Sequence, residues 1–426
     1  MGMKCTALAA ALLFFVCGSV RAQTHAAAVS RLLSRDFEKA IKRFPTGREV
    51  YARLEKAGPR AKAVRISILP GPAGGIASFD AVENAVRFDP VPMSGFFGMK
   101  GAGAQELVEL LYRDPKARSA LAGRADATYL HELVHALQSY LYPNYRSDVP
   151  RGAPLEFEYE AYLTGAMYTH EKMRKSPEPL KKYLAGGGYD VYSFAALSGY
   201  LSLSLDLDAY KENIRKKYEE ELGGFISLEK AEKIRKNSVE ESKIIAYASG
   251  RGREYAANKA RLSGVRREKE AYVGFLEDFY RRRWPAFSAE ALLFIGTAAL
   301  EVKNYPVALE CLAGADASAV KSGAPPEELK KMKEKGALAI LESAAFIKDK
   351  AGAMGLPELS RHLRALERAC ANTGRPFPAA PAALLSEIRP RALKYYSGLA
   401  AAEKDPAKAA YYRDNADYFS RGAERP

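Results

Sequence analysis

Residues suited to metal and redox chemistry are scarce in this chain. Histidine occurs five times in 426 residues and cysteine four times. Cys5 and Cys17 lie in an apolar N-terminal stretch, while Cys311 and Cys370 stand alone. No pair has Cys-x-x-Cys spacing, which excludes cysteine-built zinc sites and thioredoxin-type redox work. In an oxidising compartment Cys311 and Cys370 are open to one disulfide, with two buried thiols as the alternative. Long apolar runs are also missing beyond the N-terminus, where no stretch approaches the ~20 residues a membrane span needs. Glycine and proline are not in excess, with 33 and 23 residues respectively, so global disorder is excluded as well.

The N-terminus itself reads as an export signal. Lys4 precedes a run from Cys5 to Val20 that is apolar except for Thr6, Gly18 and Ser19, and Val20-Arg21-Ala22 supplies small residues where a signal peptidase reads them. This predicts a signal over residues 1–22, cleaved before Gln23, and a secreted or periplasmic protein. Roughly 16 apolar residues are short for a retained anchor. Bulky Phe14 and Phe15 ahead of Cys17 weigh against a lipoprotein site.

The formal charge is +14, and removing residues 1–22 takes away Lys4 and Arg21 and no acid, leaving +12. Such a balance permits attraction to anionic surfaces without specifying one. The basic residues stand beside glutamates in helical segments such as Lys211–Glu221, the pattern of solvated helix faces. Arg281-Arg282-Arg283-Trp284 is read as a helix end. Nucleic-acid binding is not expected.

The periodicity predicts an α+β protein that is predominantly α. Val29, Leu32, Leu33, Phe37, Ile41 and Phe44 recur at helical spacing. Val64-Arg65-Ile66-Ser67-Ile68 alternates as a strand, and Ile76–Phe79 and Ala85–Phe88 form a hairpin around Glu83-Asn84. The Gly-, Met- and Phe-rich stretch 90–103 is expected to be a loop, either a cleft wall or a plain connection. A helix capped by Asp126 or Thr128 follows, ending before Pro143. Beyond Pro154 the chain reads as helix almost throughout, including a charged helix pair over about 208–271. After Trp284-Pro285 come alanine-rich helices with proline stops at Pro306, Pro325-Pro326, Pro357 and Pro376. Asn304-Tyr305-Pro306 followed by Ala308-Leu309 resembles half of a tetratricopeptide-like hairpin near 285–350, without a steady repeat period. The expected domains are 23–200, carrying the site, and a helical bundle over 201–426.

Two of the five histidines, His131 and His135, stand four apart with Glu132 between them. On a helix both imidazoles lie on one face and can share one metal ion. The flanks Tyr129-Leu130, Leu133-Val134 and Ala136-Leu137 are apolar, so the helix is expected to be buried, where a bound dication would satisfy two histidines and a glutamate. A catalytic zinc needs a third protein ligand and an open position. About two dozen residues on lies Leu155-Glu156-Phe157-Glu158-Tyr159-Glu160-Ala161-Tyr162, after a turn-rich connection that lets the chain double back.

Over roughly residues 64–175 this arrangement resembles the gluzincin type of zinc metallopeptidase, with His-Glu-x-x-His followed by a Glu-x-x-Ala helix. The resemblance implies a zincin-like catalytic domain, Zn²⁺ held by His131, His135 and Glu158, and Glu132 as general base in hydrolysing peptide or protein substrates. It also implies that the preceding hairpin offers an edge to an extended peptide. Glu160 and then Glu156 remain alternatives for the third ligand. Tyr162 stands where the family carries an acidic residue that orients a ligand histidine. Tyr129, Tyr168 and His170 are the nearby candidates for an oxyanion donor, although His170 and His362 are each expected on a helix surface. The competing expectation is a non-enzymatic exported helical scaffold with a structural or degenerate zinc site, its helical region serving as a surface for a protein partner.

Overall fold

The computed structural model describes residues 25–70, 75–147, 155–221 and 252–421. The expected signal and the middle of the charged helix pair lie outside them. The described chain is predominantly helical with one small sheet, an α+β arrangement weighted to α. It forms two compact units, Met1–Ser176 with Gly188–Arg281, and Pro177–Gly187 with Arg282–Pro426. The described residues 201–221 and 252–281 group with the first unit. The cause is packing: Val265, Tyr272 and Leu276 form a buried cluster with Tyr145 and Phe157.

In the first unit the lead-in helix over residues 25–41 buries Val29, Leu33, Phe37 and Ile41. A second helix, Pro45–Ala57, starts on a proline, whose fixed φ suits a first helical turn. Three strands follow, β1 (Arg65–Ile68), β2 (Ala77–Asp80) and β3 (Ala85–Phe88), in the order β1-β3-β2. β2 and β3 form the hairpin, antiparallel with Ala77 opposite Phe88 and Asp80 opposite Ala85. Its turn is built by the Asp80 carboxylate, which accepts from the backbone N–H groups of Val82 and Glu83 at 2.8 and 2.9 Å. Asn84 closes the turn at φ +50°, a conformation asparagine tolerates better than most residues. β1 pairs parallel to β3, not to its sequence neighbour β2. Phe88 on β3 stacks with Phe37 at 5.7 Å, and Phe37 stacks with Tyr129 at 4.5 Å. Sheet, lead-in helix and histidine-bearing helix thus share one core.

The stretch expected as a loop after Phe88 begins instead with a helix, Pro90–Phe96. Asp89 caps it by accepting from Val91 N–H at 2.8 Å, and Pro90 fills the first turn.

The histidine helix spans Asp126–Leu141 and the glutamate helix spans Leu155–Lys175. The histidine helix is enclosed on most sides, packing on the glutamate helix, on Pro45–Ala57 and on β2 and β3. Leu130, Leu133, Val134 and Leu137 are fully or almost fully buried, each contributing about 1.5–3 kcal/mol. Asp126 does not cap this helix through its side chain; the cap position is Ala125. Its buried carboxylate accepts from Tyr168 Oη and Lys172 Nζ, each at 2.8 Å, and so clamps the start of one helix to the second half of the other.

The second unit contains the helices Tyr305–Ser322, Pro326–Lys350, Leu356–Thr373, Ala379–Ala402 and Pro406–Arg421. Pro306, Pro326 and Pro357 sit in first turns, so they start helices rather than stop them. Pro285 lies inside the helix Gly252–Glu301, which runs past it. Cys311 and Cys370 are buried free thiols. His362, expected at the surface, is buried beside Phe346 with ring centroids 5.4 Å apart, and burial lowers its pKa. Among the described residues no helix is long and apolar enough to cross a membrane.

Candidate metal centre

The i, i+4 spacing and the doubled-back glutamate helix bring three ligand side chains together. The Nε2 atoms of His131 and His135 are 3.1 Å apart. Glu158 straddles them, with Oε2 3.4 Å from His131 Nε2 and Oε1 3.2 Å from His135 Nε2. Three donors at about 2.1 Å from one ion at tetrahedral angles stand about 3.4 Å from one another. The two Glu158 contacts use different carboxylate oxygens, so one donor from each residue makes a looser set, its atoms all within 4.8 Å of one another. Two imidazoles and one carboxylate also match the donor set of catalytic zinc. This buried cluster could hold a metal ion.

Electrostatics favour a cation here. Burial works against a charged His135, but the charge and hydrogen bond of Glu158, then the charge of Glu132 and the contact with Gln138, outweigh it and push its pKa up to about 9. Burial likewise opposes a charged Glu158, yet the two histidines hold its carboxyl well below the usual range. A proton on His135 and a metal ion are thus alternative partners for the same carboxylate.

The three candidate glutamates have separate partners. Glu158 faces the histidines. Glu156 accepts from Tyr145 Oη at 2.9 Å. Glu160 is fully buried and accepts from Arg53 Nη1, Gln138 Nε2 and Tyr272 Oη, each at 2.8 Å. Glu132 is buried on the same helix turn as the histidines, and its charge reaches His135. His131 keeps a partial opening to solvent.

Other expected contributors lie elsewhere. Tyr129 is in the aromatic core, Tyr168 is bound to Asp126, and His170 Nδ1 is 2.7 Å from Tyr200 Oη. His170 is therefore buried, not on a helix surface, because the helix Val191–Leu205 covers it. In their place the structure brings up Gln138, whose Oε1 lies 2.9 Å from His135 Nδ1. It also brings up Tyr162, with its ring 4.5 Å from that of His131, and Tyr210, with its ring 5.7 Å from that of Tyr162. Burial, and after it the charge of Glu158, raise the pKa of Tyr210. Gln138 follows His135 by three on one helix face and was open to discovery from spacing, whereas no local pattern links Tyr210 to the histidines.

No family model matches the chain, and no curated protein or solved structure is significantly similar to it.

Proposed function

We propose that the chain is an exported zinc-dependent metallopeptidase of the gluzincin type, with its catalytic residues in the first unit. The observation that carries this reading is the close convergence of His131, His135 and Glu158, with ligand atoms within 4.8 Å of one another and Glu132 on the same turn. Zinc supplies Lewis acidity, polarising a substrate carbonyl and acidifying a water. His131 and His135 present Nε2, and Glu158 presents its carboxylate. Glu132 takes the proton from the attacking water and returns it to the leaving amine. A metal site that is structural only has no use for a general base beside its ligands. β2 is an edge strand that packs beside the histidine helix, and it offers backbone partners to an extended peptide.

Metal analysis of the purified protein together with Glu132→Gln tests the proposal. About one zinc per chain is expected, and Glu132→Gln keeps the metal while lowering peptide hydrolysis about 10²–10⁴-fold. Protein that binds no zinc, or hydrolysis unchanged in Glu132→Gln, sinks it. Bound zinc with no hydrolysis in either protein favours the competing exported scaffold with a structural site.

A further inference from the structure

We infer that Gln138 and Glu160, braced by Arg53 and Tyr272, form a positioning relay that holds His135 in the tautomer presenting Nε2 to the metal. The inference rests on the metal-site reading above.

The relay starts at Gln138, which has no exposed surface. Its Nε2 lies 2.9 Å from the Phe157 carbonyl and 2.8 Å from Glu160 Oε2. A carbonyl and a carboxylate only accept, so both demand the amide NH₂. The amide oxygen is therefore turned to His135, where Oε1 meets Nδ1 at 2.9 Å. An amide oxygen only accepts as well, so Nδ1 must carry the hydrogen. In a neutral imidazole that leaves the lone pair on Nε2, the nitrogen facing His131 and Glu158. Flipping the amide would set its oxygen against two buried acceptors at once.

Glu160 is held in turn. It has no exposed surface, and an uncompensated carboxylate there would be costly. Arg53 reaches it with Nη1 at 2.8 Å while its guanidinium lies over the Phe275 ring at 5.1 Å. Tyr272 Oη donates to Glu160 Oε2 at 2.8 Å and lies 3.1 Å from Gln138 Nε2. Arg53 and Tyr272 stand 107 and 112 residues from Glu160 in sequence. Side chains from three helices besides the histidine helix thus fix one imidazole. His131 is held differently, by the ring of Tyr162. Placing a neutral amide between His135 and the carboxylate has a chemical consequence: the amide draws less on the Nδ1 proton than a directly bound carboxylate would. His135 then donates less charge to the ion, leaving it the stronger Lewis acid.

Two measurements test this. Zn²⁺ affinity is measured by chelator competition for the wild-type chain, Gln138→Leu and Glu160→Gln, with far-UV circular dichroism as a check on folding. ¹⁵N-labelled histidine NMR of the zinc-loaded wild type identifies which ring nitrogen of His135 carries the proton. Expected are a protonated Nδ1 and a metal-bound Nε2 in the wild type, with zinc affinity falling about 10–100-fold in Gln138→Leu and about 10-fold in Glu160→Gln. Zinc bound through Nδ1 of His135, or folded variants both within twofold of wild-type affinity, overturns the relay while leaving the metal site standing. A wild-type chain that binds no zinc overturns the metal site itself. If either variant fails to fold, the wild-type spectrum decides.

Discussion

The ring of Tyr162 lies 4.5 Å from that of His131, inclined at 65°, one helical turn beyond Glu158. Under the proposed gluzincin reading Tyr162 takes the position of that family's acidic residue, and its ring packs on His131. Tyr162→Ala removes that support and should lower zinc affinity about tenfold. The stability cost should be modest, about 1–2 kcal/mol for a partly buried ring. Chelator competition and denaturant unfolding measure the two effects separately. An affinity unchanged in Tyr162→Ala removes Tyr162 from any role in holding His131.

Under the zinc proposal a proton and the metal compete for His135, which predicts a definite pH dependence for the site. With a folded pKa of about 9, His135 keeps a proton that zinc must displace, so zinc affinity should climb with pH until that value is passed. The metal-free protein should behave in the opposite sense. A raised histidine pKa contributes stability in full below the unfolded value of about 6.5, and that contribution is lost as pH rises through 9. The depressed Glu158 pKa contributes stability above its unfolded value, lost as pH falls through the folded one. The ion pair therefore supports metal-free protein best between about pH 4.5 and 6.5. Thermal unfolding with and without chelator across pH 5–10 checks this: the stabilisation by zinc should grow with pH up to about 9 and then level off.

Local periodicity made much of the first unit legible. The alternation in β1 and the hairpin around Asn84 followed from short-range pattern, as did the pairing of His131 with His135 on one helix face. What escaped was set by long-range packing. The parallel pairing of β1 with β3 has no local signature. Arg53 and Tyr272 reach Glu160 from more than a hundred residues away. His170 and His362 have charged neighbours and read as surface residues, yet Tyr200 and Phe346 cover them. The prolines were recognisable as breakers, but whether a proline stops one helix or starts the next depends on where the backbone turns. Pro306, Pro326 and Pro357 start helices.

The clamp on Asp126 should govern how the two site-bearing helices stay together. Its carboxylate is only 2 % exposed and takes hydrogen bonds from Tyr168 and Lys172. Tyr168→Phe should cost about 1.5–3 kcal/mol, the worth of a hydrogen bond to a buried charge. Lys172→Met should cost a similar amount, because it strips a counter-charge from a buried acid. In a double-mutant cycle the two losses should not add, with a coupling of about 0.5–3 kcal/mol. Strict additivity in urea unfolding would show that Asp126 is not their shared anchor.

Tyr210 is the residue whose predicted effect falls on turnover alone. Its ring packs edge-on to Tyr162, its hydroxyl lies beside Gly199, and burial, then the charge of Glu158, raise its pKa. No hydrogen-bond partner for that hydroxyl is present among the described residues. If the candidate metal centre activates a carbonyl as proposed, a half-buried phenol that stays protonated beside it is suited to donate to a developing oxyanion. Under the hydrolase proposal, Tyr210→Phe should lower kcat about 10²–10³-fold, as loss of one oxyanion donor does, with KM little changed. Zinc content and thermal stability should match the wild type, because the ring and its packing remain. Loss of zinc in Tyr210→Phe would instead assign the hydroxyl to the metal environment. Unchanged kcat would leave the oxyanion to another donor.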